Sequence, residues 1–181
     1  DLDITRPEQV FVNDITYIKI RNKYAYLFLV TDAYSKKIMG WSINYTMKVK
    51  DGIKAIRMAH RNRRFKSEVF HHSDRGIQYC TPSYINYIEK KGMIPSMTED
   101  LHVYENAVAE RVNGILKGEF DIDIGFDSLK EARAVIAESI HIYNNKRRHL
   151  SLHKLTPNFV HFNPGIKIKT YKTSIEKLEN S

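Results

Sequence analysis

Three carboxylates stand out for where they fall in the chain. Asp14 lies within QVFVNDITYIKI, a β-branched and aromatic run in which Val12 and Thr16 share its face. Aspartate is depleted from strand interiors, so this one needs a reason: an exposed strand edge, or a site. Asp74 follows the apolar run from Glu68 to His72. The end of a strand is where α/β sheets present ligand crevices, although a turn before Gly76 would also suit an aspartate. Glu110 falls in the middle of a helix. At about 100° per residue, Tyr104, Val108, Val112, Ile115 and Leu116 form one apolar stripe. Glu110 lies nearly opposite, in line with Asn106, Asn113 and Lys117. A lone helix glutamate is ordinarily solvated surface. Three acids brought together would instead repel and raise one another's pKa unless a cation stood among them.

The intervening pattern shows what would have to position these acids. Strands are expected over Gln9–Ile20, over Lys23–Tyr34 and over IMGWSINYT, joined by the turns Asn22-Lys23 and Ser35-Lys36-Lys37. KYAYLFLVTDAY is almost continuously apolar, as a strand covered on both faces requires. A helix follows over Asp51–Arg63, with Ile53, Ile56 and Ala59 at helical spacing, and a fourth strand over Glu68–His72. Thr81-Pro82 opens a helix that stops at Gly92, and Met93–Met97 makes a fifth strand. The helix of Glu110 spans Tyr104–Phe120, with a hinge at Asp121–Asp127. Ser128 and Glu131 form a capping box that starts a long helix to about Asn145, and Thr156-Pro157 starts a last short one. Three strands followed by alternation imply an α/β domain with a mixed five-stranded sheet and helices on both faces. The ribonuclease H-like fold has that order. The domain is expected to span residues 1–164, leaving 165–181 as a polar, lysine-rich tail.

Composition narrows the partners. With 181 residues and 42% hydrophobic content, the chain can bury one sizeable core. No apolar run approaches the roughly 18 residues of a membrane span. Cys80 is the sole cysteine, which excludes an internal disulfide and suits a reducing compartment such as a cytoplasm. The chain starts at Asp1 rather than Met, as a fragment of a longer polypeptide would. A net charge of +8 favours a polyanion, most often nucleic acid. Arg61, Arg63 and Arg64, and the run Lys146-Arg147-Arg148-His149, could track a phosphate backbone or simply be solvated. His71, His72, His102 and Cys80 lack the paired spacing of a zinc site.

Five segments carry a resemblance: NDITYI, TDAYSKKIMGW, HHSDRGIQY, SMTEDLHVYENAVAERVNGILKGE and YNNKRRHLSLHKLTP. In this order they resemble the integrase-like catalytic core of bacterial insertion-sequence transposases, relatives of the retroviral integrases. That family separates its second aspartate from its glutamate by 35 residues, and 35 residues separate Asp74 from Glu110 here. The resemblance covers about Gln9 to Phe162. It implies that Asp14, Asp74 and Glu110 are catalytic and hold two divalent cations, Mg²⁺ or Mn²⁺, with Asp14 bridging them. It implies metal-dependent cleavage and strand transfer at transposon ends, with water and then a DNA 3′-hydroxyl as nucleophile. Two metals about 4 Å apart would stabilise both the entering and the leaving oxygen. It further implies an oligomer on paired DNA ends and an N-terminal DNA-recognition region outside this chain. Lys117, Asn106, Asn113, Arg147 and Arg148 are candidate DNA contacts. The chain departs from the family pattern at Glu105 (commonly Asp), at Arg111 (commonly Ser) and in lacking a glycine before Tyr104. These changes bear on the loop before the helix rather than on the three acids. Two other readings share the features: a ribonuclease H-type nuclease acting on RNA–DNA hybrids, and a catalytically inactive DNA-binding remnant.

Overall fold

The computed structural model describes residues 3–73, 80–97 and 104–168, with backbone alone for Met97 and for Tyr104 to Asn106. Its five strands are β1 (Val10–Ile20), β2 (Lys23–Asp32), β3 (Ile38–Asn44), β4 (Val69–Ser73) and β5 (Met93–Met97). They lie in the order β3-β2-β1-β4-β5. The first three form an antiparallel meander, while β4 and β5 add in parallel to β1. Parallel pairing needs crossovers, and α1 (Val49–Arg61) and α2 (Pro82–Lys90) supply them. After β5 come α3 (Tyr104–Phe120), α4 (Leu129–Asn145) and the short α5 (Pro157–Phe162). This is the expected mixed sheet, with element ends within a few residues of those read from the sequence.

The sheet is apolar on both faces. On one, Phe11, Phe28 and Val30 pack under Ala55 and Ile56 of α1 and Tyr84 and Ile88 of α2. On the other, Ile18, Ile20 and Leu27 meet Val112, Ile115 and Leu116 of α3 and Ile136 and Ile140 of α4. Each such fully buried side chain is worth about 1.5–3 kcal/mol relative to exposure. Val10 and Val12 pack with Val108 and Ala109 in a third patch. Asp14 and Thr16 therefore fall between two apolar patches along one face of β1.

Edge strand β3 is covered closely. A Cβ on Gly40 would come within 2.2 Å of the Ala55 carbonyl oxygen, so only glycine lets α1 lie this near the strand. Asn144 of α4 accepts from the Ile38 N–H and donates to its carbonyl, each at 2.9 Å. Arg133 and Asn62 donate to the carbonyls of Ile43 and Met39. These bonds occupy strand groups that would otherwise invite a foreign strand.

A buried polar knot ties the chain's two ends. Glu8, at 0% exposure, accepts the backbone N–H groups of Arg64 and Phe65 at 2.6 and 3.1 Å, and lies 3.1 Å from Nε2 of His161 in α5. Its own N–H donates to Asp32, which also accepts from Ser35. Burial alone would raise the Glu8 carboxyl. The bonds from His161, Arg64 and Phe65 outweigh burial and hold it below its ordinary value. Arg63, expected as a possible DNA contact, is drawn into this knot through Glu8. Ile168 is buried in the third patch with Ile166 beside it, and the Ile166 carbonyl accepts the Tyr34 hydroxyl. Among the described residues no helix is long and apolar enough to cross a membrane.

Candidate active site

Asp14 sits on β1, half-buried, on the face covered by α3. Its Oδ1 accepts the Ile15 N–H at 2.8 Å and its Oδ2 accepts the side-chain N–H of Asn113 from α3. The carboxylate is thus oriented from both the strand and the helix. The parallel β1–β4 register ends with Asn13 beside Ser73, the residues that immediately precede Asp14 and Asp74. Asp74 itself lies outside the described residues. Glu110 is exposed on α3, one turn before Asn113. Side chains three apart on a helix are neighbours, with Cβ atoms about 5–6 Å apart, so Glu110 stands next to the residue that grips Asp14.

Beneath this end of the sheet the strands are fixed by buried polar bonds. Asn13 donates to the His72 carbonyl at 2.9 Å and lies 3.1 Å from Nδ1 of His71. The other ring nitrogen of His71 is 2.9 Å from the Tyr84 hydroxyl of α2. Burial, then the neighbouring His72, push the His71 pKa down to about 3, so its ring is neutral at physiological pH. With both nitrogens engaged, His71 is a strand tie rather than a zinc ligand. Asn13 and Tyr84 escaped the sequence reading, since their roles depend on which strands become neighbours.

The other candidates divide. Asn113 was expected on an open polar face but is buried at 8% exposure against Asp14, so it positions a carboxylate rather than meeting solvent. Lys117 is half-buried two turns beyond Glu110. The side chain of Asn106 lies outside the described residues, as does that of Glu105, while Arg111 is exposed on α3. Arg147 is held by both oxygens of Glu119 at the end of α3, which occupies its guanidinium; the bond to Arg147 holds the Glu119 carboxyl below its ordinary value. Arg148 is exposed. Among the described residues no group of three or more His, Cys, Asp or Glu side chains is arranged to hold a metal ion. The donor chemistry present does suit a hard divalent ion: carboxylate oxygen on β1, carboxylate oxygen on α3, and an unpartnered acceptor beside them. That acceptor is Oδ1 of Asn113, buried with no hydrogen-bond partner among the described residues. The waters of a hydrated cation donate to such an oxygen.

Comparison with known proteins fits this geometry. An integrase core domain model matches residues 4–101, and a second model of the same description matches residues 91–157. The chain belongs to the integrase core domain family. It is 37% identical over 154 residues to an uncharacterized 31 kDa protein of insertion element IS600 from Shigella sonnei, covering 84% of this chain and 57% of that protein. It is 32% identical over 158 residues to the transposase InsF of insertion sequence IS3A from Escherichia coli, covering 87% of this chain and 55% of that protein. The chain therefore spans little more than half the length of these curated relatives. Its fold matches the HTLV-2 integrase catalytic core domain, solved in complex with magnesium, with a TM-score of 0.68 at 15% identity over 86% of this chain and 97% of that one. The ribonuclease H-like expectation for the integrase core holds.

Proposed function

We propose that this integrase core is the catalytic domain of an insertion-sequence transposase that cuts DNA at transposon ends and joins them to new sites. One observation supports the reading: the β1–β4 register sets Ser73, the last residue of β4, beside Asn13, the residue before Asp14, and the Asn113–Asp14 bond sets the helix that carries Glu110 against the Asp14 carboxylate. Bound there, two divalent ions, Mg²⁺ or Mn²⁺, supply Lewis-acid stabilisation at the entering and leaving oxygens of phosphoryl transfer. Asp14, Asp74 and Glu110 would hold them. Asn113 and the Ile15 N–H fix the orientation of Asp14, and Lys117 holds a DNA phosphate along α3 so that the scissile bond stays in line. The protein acts as an oligomer on paired ends. End recognition belongs to a region of the full-length protein outside these residues. The relatedness to insertion-sequence proteins favours strand joining over a plain nuclease acting on RNA–DNA hybrids.

The test is Asp74→Asn, which keeps the shape and removes the charge. Cleavage of a transposon-end duplex in Mg²⁺ is expected to fall by several orders of magnitude, while thermal stability changes little or rises as carboxylate repulsion is relieved. Near-normal Mg²⁺-dependent cleavage would remove Asp74 from the site.

A further inference from the structure

The positive charge of this chain is concentrated in one place. Residues 48–67 contain eight Lys or Arg and one acid, a formal +7 out of +8 for the whole protein. The other 161 residues are close to neutral. The one acid, Asp51, is buried at 1% exposure and paired with Lys54. All the basic residues of the segment except Arg63 are exposed.

Helix α1 turns this composition into a surface. Lys50, Lys54, Arg57 and Arg61 recur at intervals of four, three and four, which places them within an arc of about 60° at about 100° per residue. They form a ridge about 16 Å long at 1.5 Å per residue, with no acid on it. Across edge strand β3, an open groove of about 600 Å³ is lined by Lys54 from α1 and by Lys130 and Arg133 from α4, so the ridge has a basic neighbour. Four like charges one helical turn apart repel one another, and a polyanion relieves that cost. A second copy of the same ridge would add to it.

The position of the ridge separates it from the carboxylates. Helix α1 packs on the sheet face of Phe28 and Val30, whereas Asp14 and α3 lie on the opposite face. A straight duplex seated at the carboxylates does not also run along α1. We propose that the outward ridge of α1 is a second DNA-binding surface, which holds duplex through its phosphates, independently of base sequence and away from the point of cleavage. This rests on the reading of the protein as a DNA-joining enzyme, whose reaction brings two DNA molecules to one assembly.

The experiment compares the wild-type chain, Lys50→Glu/Arg57→Glu/Arg61→Glu and the milder Lys50→Gln/Arg57→Gln/Arg61→Gln. Lys54 is left in place because buried Asp51 depends on it. Binding of a duplex of about 30 base pairs without a transposon end is followed by fluorescence anisotropy between about 50 and 200 mM salt. The Gln variant is expected to lose at least about tenfold in affinity at the lowest salt and to show a log–log salt slope shallower by about three, one unit per phosphate contact. Cleavage of an oligonucleotide long enough only for the carboxylate site should be unchanged in the α1 variants. Unchanged affinity and slope in both α1 variants, while wild type binds DNA, would overturn the second surface and leave the function standing. A changed sedimentation coefficient with unchanged DNA binding would also overturn it, by making the ridge an interface between copies. If wild type shows no salt-dependent DNA binding at all, the proposed function fails as well.

Discussion

Asn113 grips Asp14 through one end of its amide and leaves the other end buried without a partner among the described residues. A buried group left unsatisfied costs about 1–3 kcal/mol, and the waters of a hydrated ion bound at the proposed site would satisfy this one. Asn113→Asp keeps the shape but replaces the donor with a carboxylate pressed against Asp14, and like charges at this range disfavour ionisation. Cleavage in Mg²⁺ is expected to fall by at least about tenfold, and Asn113→Ser, which can still donate, should recover part of it. Equal rates for Asp and Asn at this position would show that orientation of Asp14 does not depend on the amide. Lys117 is a different kind of residue, because its value lies in charge rather than fit. It stands about 10 Å along the helix axis from Glu110, within reach of a phosphate one or two nucleotides away. Lys117→Glu should weaken DNA binding and strand transfer while leaving metal affinity and Tm nearly unchanged. Transfer at the wild-type rate with the wild-type salt dependence would make Lys117 ordinary surface and send the DNA path elsewhere.

At the level of elements, the knot around Glu8 joins the segment before β1, the β2–β3 turn, the α1–β4 loop and α5. Glu8 also adopts a positive φ of 57°, which a non-glycine residue keeps only when its surroundings demand it. Glu8→Gln leaves buried donors facing a neutral amide and should cost roughly 3 kcal/mol at neutral pH. The sign with pH follows from the depressed folded pKa of Glu8. Its stabilisation is complete above the unfolded value of about 4.3 and is lost as pH falls through the lower folded value. The gap in stability between wild type and Glu8→Gln should therefore shrink below about pH 4, measured by urea unfolding across pH; a gap independent of pH would mean that the carboxylate charge contributes nothing. None of this knot was legible in the sequence, because burial statistics place glutamate and aspartate outside and its partners are backbone groups from distant segments. The elements themselves were legible wherever periodicity and caps agreed. Ser128 does accept the Glu131 N–H at 3.1 Å, and the apolar stripe of α3 is buried wherever its side chains are described. Asn113 was misplaced because a helical wheel fixes angles within one helix, and only the packing of α3 across β1 decides which polar residue at the stripe's margin is covered.

Over the whole molecule, the distribution of charge bears on how DNA would be held rather than on how it would be chosen. Nearly all the net charge sits on one segment, and among the described residues the exposed basic ridge of α1 offers phosphate contacts rather than a pattern of base-reading side chains. Phosphate contacts set affinity and register but carry no sequence information. The chain also spans only 57% and 55% of the relatives from IS600 and IS3A. Under the proposed function, discrimination of transposon ends would come from sequence other than this core. The isolated chain should bind a transposon-end duplex and an unrelated duplex of equal length within about tenfold of one another, far short of the 10³ or more typical of a specific reader. Both affinities should fall together as salt rises, with parallel log–log slopes, because both come from counterion release. Competition of one labelled duplex against the other at two salt concentrations measures this directly. Tight binding to the end sequence alone, with a slope much shallower than for the unrelated duplex, would place a base-reading element within these 181 residues after all.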